Sequence, residues 1–139
     1  MAPSVDINYA AVLVAAVVAY LIGFLWYSVL FGKAWMKLSN ISEKQIKKSK
    51  EKGMAKNYAI EFLSTLLMAY ILAHFVDYTQ GSTIMEGLQA GFWIWLGFVA
   101  TIMLGSVLWE RKPWKLYMVN AVHYLVRLTV MGAILAVWV

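Results

Sequence analysis

Four long, predominantly apolar stretches, near residues 7–31, 55–77, 85–109 and 114–138, limit what this chain can become more than anything else in it. Each supplies the roughly 20 residues that a helix needs to cross a hydrocarbon layer about 30 Å thick. Inside such a layer no water is available to backbone N–H and C=O groups, so each stretch must satisfy its own and fold as a helix. With 63% hydrophobic and only 14% charged residues, the 139-residue chain is far too apolar for a soluble domain of its size. The predicted fold is all-α: one polytopic membrane domain over residues 1–139, with four transmembrane helices in an antiparallel bundle. The first apolar run is too long for a cleavable signal peptide and has no basic residue before it, so the amino terminus is expected to be retained. Cysteine is absent, which removes disulfides and thiolate chemistry from consideration.

The net charge of +5 is unevenly distributed. Lys33, Lys37, Lys44, Lys47, Lys48, Lys50, Lys52 and Lys56 lie in or beside the first connection (32–54), and Arg111, Lys112 and Lys115 flank the third. The second connection, "DYTQGSTIME", carries no basic residue. Short loops rich in Lys and Arg stay on the cytoplasmic side, so both basic connections are expected inside and both termini outside. A prokaryotic cytoplasmic membrane is the expected location. The basic balance points to topology and anionic lipid rather than to nucleic acid.

Within the first connection, "SNISEKQIKKSKEKG" reads as a short basic surface helix. Ser42 and Gln45 have the spacing of a capping box, Glu43 and Lys47 stand four apart, and Gly53 supplies a stop. Lys44, Lys47, Lys48 and Lys50 are its expected contacts with anionic headgroups, an attraction that salt weakens. The plainer alternative is a solvated loop that only fixes orientation. The third connection, "WERKPW", turns within a few residues, and Pro113 suits the first turn of the helix that follows. Trp26, Trp35, Trp109 and Trp114 fall near the inner boundary and Tyr9, Tyr78 and Trp138 near the outer one, as interfacial anchors.

Small residues recur every fourth position: Ala11, Ala15, Ala19 and Gly23 in the first span, Gly87 and Gly91 and then Gly97, Thr101 and Gly105 in the third. Such stripes let helices approach closely where lipid gives them no hydrophobic reason to associate. Whether a given face meets this chain or a second copy is left open by the pattern, and a homodimer is the expected assembly.

One polar stripe interrupts the fourth span. Asn120, His123 and Arg127 fall within an arc of about 60°, and Tyr124 continues it. Arg at a helix centre costs roughly 2.5 to 3.5 kcal/mol to insert, so Arg127 must face protein or water and wants an anion. Glu61 is the one carboxylate well inside a span, at roughly the depth that an Arg127 side chain leaning toward its helix amino terminus would reach. Glu61, Asn120, His123 and Arg127 therefore form the candidate site, with Asn57, Ser64, Thr101 and Tyr124 as possible support; Thr65, Met68 and Gln89 lie near enough to join. His74, Asp77 and Glu86 suggest a weaker divalent-cation site, more simply read as helix-end residues, and no metal is assigned. His74 and His123 differ in depth by about ten residues, roughly 15 Å, too far to share a haem, and no cofactor is expected.

The segments "LWYSVLFGKAWMK" (25–37), "GFVATIMLGSVLWERKPWKLYMVNAVHYLV" (97–126) and "MGAILAVW" (131–138) resemble DUF1761, a family of small prokaryotic membrane proteins of unknown function. The resemblance covers nearly the whole chain and includes a signature running from Trp26-Tyr27-Ser28 to Phe31-Gly32-Lys33-Ala34-Trp35. It implies a stand-alone four-helix protein and carries no catalytic residue across. No phosphate loop, zinc helix or nucleophile elbow is present, so an enzyme is not expected. Two functions remain: passage or binding of a small solute, ion or proton at the intramembrane polar site, or a structural or accessory role in which the same residues form a packing network.

Overall fold

The computed structural model describes residues 5 to 138. Among the described residues six helices follow one another: α1 (Tyr9–Leu30), α2 (Gly32–Leu38), α3 (Glu43–Glu51), α4 (Ala55–Tyr78), α5 (Ile84–Leu108) and α6 (Trp114–Val137). No strand occurs among the described residues. The four longest, α1, α4, α5 and α6, are each long and apolar enough to cross a membrane.

Local chemistry sets several helix starts. The Asn8 side chain accepts from the Ala11 amide at 3.2 Å, occupying one donor that the first turn of α1 leaves free. At α3 the Ser42 hydroxyl accepts from Gln45 N at 3.1 Å while the Gln45 side chain accepts from Ser42 N at 2.8 Å. Gly53, at φ +85°, then takes the left-handed turn that side-chain-bearing residues avoid. At α5 the Thr83 hydroxyl accepts from Glu86 N, and the Glu86 carboxylate reaches one residue past the cap to accept from Ser82 N. Pro113 stands immediately ahead of α6 rather than inside its first turn, and its carbonyl accepts from Leu116 and Tyr117.

Two of the long helices are wound more loosely for one turn. The hydrogen bonds skip an extra residue over Trp26–Leu30 in α1 and over Trp95–Ala100 in α5. Each widened turn opens with a tryptophan, and both tryptophans reach α6: Trp26 Nε1 donates to the Val119 carbonyl at 3.0 Å and Trp95 Nε1 to the Ala121 carbonyl at 2.7 Å. These indoles are therefore cross-helix hydrogen-bond donors, not only the boundary anchors expected of Trp26. Tyr117 of α6 returns the favour by donating to the Ala100 carbonyl at 2.8 Å, at the far end of the widened turn in α5. Side chain to carbonyl bonds of this kind tie helices together where lipid supplies no competing water.

α6 is the shared partner, packing along α1, α4 and α5, while α4 and α5 meet only sparsely. Against α5 the backbones nearly touch: a methyl group at Gly87 would overlap the Gly132 carbonyl, and one at Gly91 the Leu128 carbonyl. Against α1 and α4 the core is built of small residues, with Ala11, Ala15, Ala16, Ala19 and Ala69 fully buried beside Leu72, Leu128 and Met131. Ring pairs Tyr9 with Tyr70 and Tyr20 with Phe62 line the α1–α4 contact. Gly97, by contrast, has open space where a side chain would sit, and Thr101 is exposed.

Candidate functional site

The polar stripe of α6 divides into two clusters because its members meet different helices. The lower one is closed by α1. Its widened turn places the Tyr27 hydroxyl 2.6 Å from Asn120 Oδ1, to which it donates, and 3.5 Å from His123 Nδ1. The Tyr27 and His123 rings meet edge-on, with centroids 4.9 Å apart. A hydroxyl has one proton, so with that proton committed to Asn120 the Tyr27 oxygen is left to accept from His123 Nδ1. His123 is 3% exposed, and its Nε2 has no hydrogen-bond partner; it lies against Gly23, where a methyl group would stand 3.2 Å away. Gly23 thus serves to admit an imidazole, a different task from the helix approach its spacing suggests.

The upper cluster is closed by α4. Arg127 is 2% exposed. Its NH2 donates to the Thr65 hydroxyl and its NH1 to Glu61 Oε1 at 3.4 Å, while the guanidinium carbon lies 5.7 Å from the centre of the Tyr124 ring. Thr65 can accept because its own proton goes to the Glu61 carbonyl one turn earlier, at 2.8 Å. The Arg127 Nε is buried without a partner. Glu61 is asymmetric with respect to its mate: its side chain is 55% exposed, so one end of the ion pair is enclosed and the other reaches the molecular surface.

Arg127 and Glu61 are thus together, and Asn120 and His123 are together, but the four do not make one network. Of the supporting residues, Tyr124 joins, its ring 4.8 Å from that of His123. Asn57 and Ser64 are exposed, and Thr101 turns its hydroxyl to the Gly97 carbonyl of its own helix. Gln89 is exposed as well. Thr65 and Tyr27 carry more of the geometry than sequence reasoning gave them. Thr65 stands one turn beyond Glu61, which places it on the same face; Tyr27 enters the sequence reading only through the Trp26-Tyr27-Ser28 signature, and the signal for its role is that the end of α1 and the start of α6 lie at the same end of the molecule.

His74, Asp77 and Glu86 are not gathered into a metal site. His74 Nδ1 pairs with the Tyr70 carbonyl of its own helix, Glu86 caps α5, and no group of three or more potential ligands occurs among the described residues. Two grooves open at opposite ends of the molecule. One, of about 500 Å³, lies between the start of α1 and the ends of α4 and α6, with Asp6 and Asp77 on its rim. The other, of about 430 Å³, lies between the end of α1, α2 and α3 and includes Tyr27, Lys33 and Lys47. Neither groove is lined by Arg127, Glu61 or His123.

No curated protein and no solved structure matches the chain. The model of one family, described as a protein of unknown function, DUF1761, matches residues 10–136, from the second residue of α1 to the last turn of α6, so that both clusters and the groove between α1, α2 and α3 lie inside the match. With nearly its whole length covered, the chain belongs to the DUF1761 family.

Proposed function

We propose that this chain is a non-catalytic, multi-pass protein of the prokaryotic cytoplasmic membrane, and that Arg127, Thr65 and Glu61 form a clamp that holds its helices in register. The observation that carries this reading is the enclosure of Arg127: a guanidinium 2% exposed has its place beside Thr65 and Glu61 filled by direct protein contacts. The four spans cross as an antiparallel bundle. Support comes from the α5–α6 contacts, where Gly87 meets Gly132, Gly91 meets Leu128, Trp95 meets Ala121 and Ala100 meets Tyr117, so numbers rise on one helix as they fall on the other. Both termini lie outside, and the basic helix α3 lies inside with Lys44, Lys47, Lys48 and Lys50 toward anionic headgroups. A two-fold dimer covers the face around Gly97 and Thr101.

The clamp is tested by a double-mutant cycle in detergent micelles. Glu61→Gln takes the counter-charge from the buried Arg127 guanidinium and Arg127→Met takes the donor from the buried Thr65 oxygen, so the Glu61 change should cost about 1–3 kcal/mol of unfolding free energy and the Arg127 change at least as much. The double variant should recover much of the loss. Strictly additive losses would overturn the clamp. A second reading is favoured by the exposed half of Glu61: a carboxylate paired on one side and open on the other is placed to exchange a proton or a small ion. Under that reading Glu61→Gln abolishes proton or ion flux into proteoliposomes while stability is unchanged, an outcome the clamp does not allow.

A further inference from the structure

The groove between α1, α2 and α3 has a composition that the clamp does not use. Its floor is Tyr27 and Ser28 from the widened turn of α1. Its walls are Lys33, Trp35 and Met36 from α2 and, from α3, Glu43, Ile46, Lys47 and Lys50. On α3 these positions follow the three-and-four spacing of one helix face. Lys44 and Lys48, on the same short helix, are not among the lining residues. The groove therefore selects among lysines that the sequence alone treats as equivalent.

Three ammonium groups against one carboxylate make the groove a site for an anion. Trp35, Met36 and Ile46 add an apolar wall that a free inorganic anion has no use for. The floor is fixed in advance, since the Tyr27 hydroxyl is already bound to Asn120. The close fold of α2 on α1 depends on Gly32, where a methyl group would lie 2.8 Å from the Tyr27 carbonyl. The one apolar residue of α3, Ile46, is only half-buried against the rest of the chain, so an occupant of the groove would complete its cover.

We infer that this groove holds the headgroup of an anionic phospholipid from the inner leaflet, its phosphate diester among Lys33, Lys47 and Lys50 and its glyceryl portion against Trp35 and Ile46. The inference rests on the placement of the lysines in the inner headgroup layer and gives that general attraction a defined seat. Both supports are on the molecule: the charge excess is complementary to phosphate, and the groove opens at the end of a helix long enough to span the bilayer, where headgroups lie.

The test compares two variants that remove the same charge. Binding of dihexanoyl-phosphatidylglycerol to the purified full chain in neutral detergent is measured for the parent, for Lys47→Ala with Lys50→Ala, and for Lys44→Ala with Lys48→Ala. Because α3 buries no residue, both variants should fold, which circular dichroism and gel filtration check. The first pair should weaken binding by about tenfold or more and the second by less than about twofold. Equal losses in the two pairs would overturn the groove while leaving a diffuse attraction of lysines for lipid intact. No loss in either pair would remove the attraction as well. Dihexanoyl-phosphatidylcholine binding as tightly as the anionic lipid, or inorganic phosphate competing at equal concentration, would overturn the lipid assignment. The Glu61 and Arg127 cycle reads the clamp independently of all these outcomes.

Discussion

Arg127 lies near the middle of α6, where a lone guanidinium would be among the costliest groups in the chain, and it is held there by three unlike neighbours. Glu61 offers charge, Thr65 a hydroxyl oxygen, and Tyr124 the face of a ring. Of these Thr65 is the most enclosed, at 1% exposure, and its oxygen can serve only because the proton is directed back to the Glu61 carbonyl. Thr65→Val keeps the shape and removes the acceptor, so it should lower unfolding free energy by about 1–3 kcal/mol. Ser64→Ala, one position away but exposed, should change it by less than about 0.5 kcal/mol. Chemical unfolding in mixed micelles measures both. That Arg127 needs an anion was legible from the sequence, because burial cost and helical direction together pointed to Glu61. The division of the stripe was not: Asn120 and His123 share a face of α6 with Arg127, but which helix covers each height depends on tertiary packing that spacing within one helix does not encode.

At the scale of helices, the same limit shows in the small-residue stripes. Counting by fours finds the packing face of α1 correctly, since Ala11, Ala15 and Ala19 are all buried, and it finds Gly87 and Gly91 in α5. Gly97 follows Gly91 by six residues, out of step with the count by fours, so Gly97 and Thr101 lie off the face that Gly87 and Gly91 begin, and the widened turn over Trp95–Ala100 shifts the register of α5 again. Four spans were readable because length and apolarity suffice, and their observed ends fall within two residues of the expected ones. A change of helical pitch leaves no mark in hydropathy. The contrast is measurable: Gly91→Ala forces a methyl group onto the Leu128 carbonyl and should cost about 1–3 kcal/mol. Gly97→Ala meets nothing within the chain and should stay within about 0.5 kcal/mol of the parent or gain slightly from helix propensity. If the Gly97 face is the dimer contact, Gly97→Ala shifts the monomer–dimer equilibrium measured by sedimentation and leaves monomer stability alone.

For the whole molecule, the proposed orientation puts the lysine-rich connections on the cytoplasmic side, and the absence of cysteine makes that straightforward to measure. Single variants Ser49→Cys in α3 and Ser82→Cys between α4 and α5 require no prior removal of native thiols. In intact cells a membrane-impermeant maleimide should label Ser82→Cys and spare Ser49→Cys until the cells are opened. The reverse pattern would invert the protein. Either way the central place of α6 has a consequence for biosynthesis. The carbonyls that receive Trp26 and Trp95, the backbone that receives Gly87 and Gly91, and the guanidinium that occupies Thr65 all belong to a helix translated after its partners. α1 and α4 can already pack on each other through their alanines and ring pairs, but the groups that bond to α6 stay unengaged until the ribosome delivers it, so this polar and close-backbone set of contacts forms as one late step.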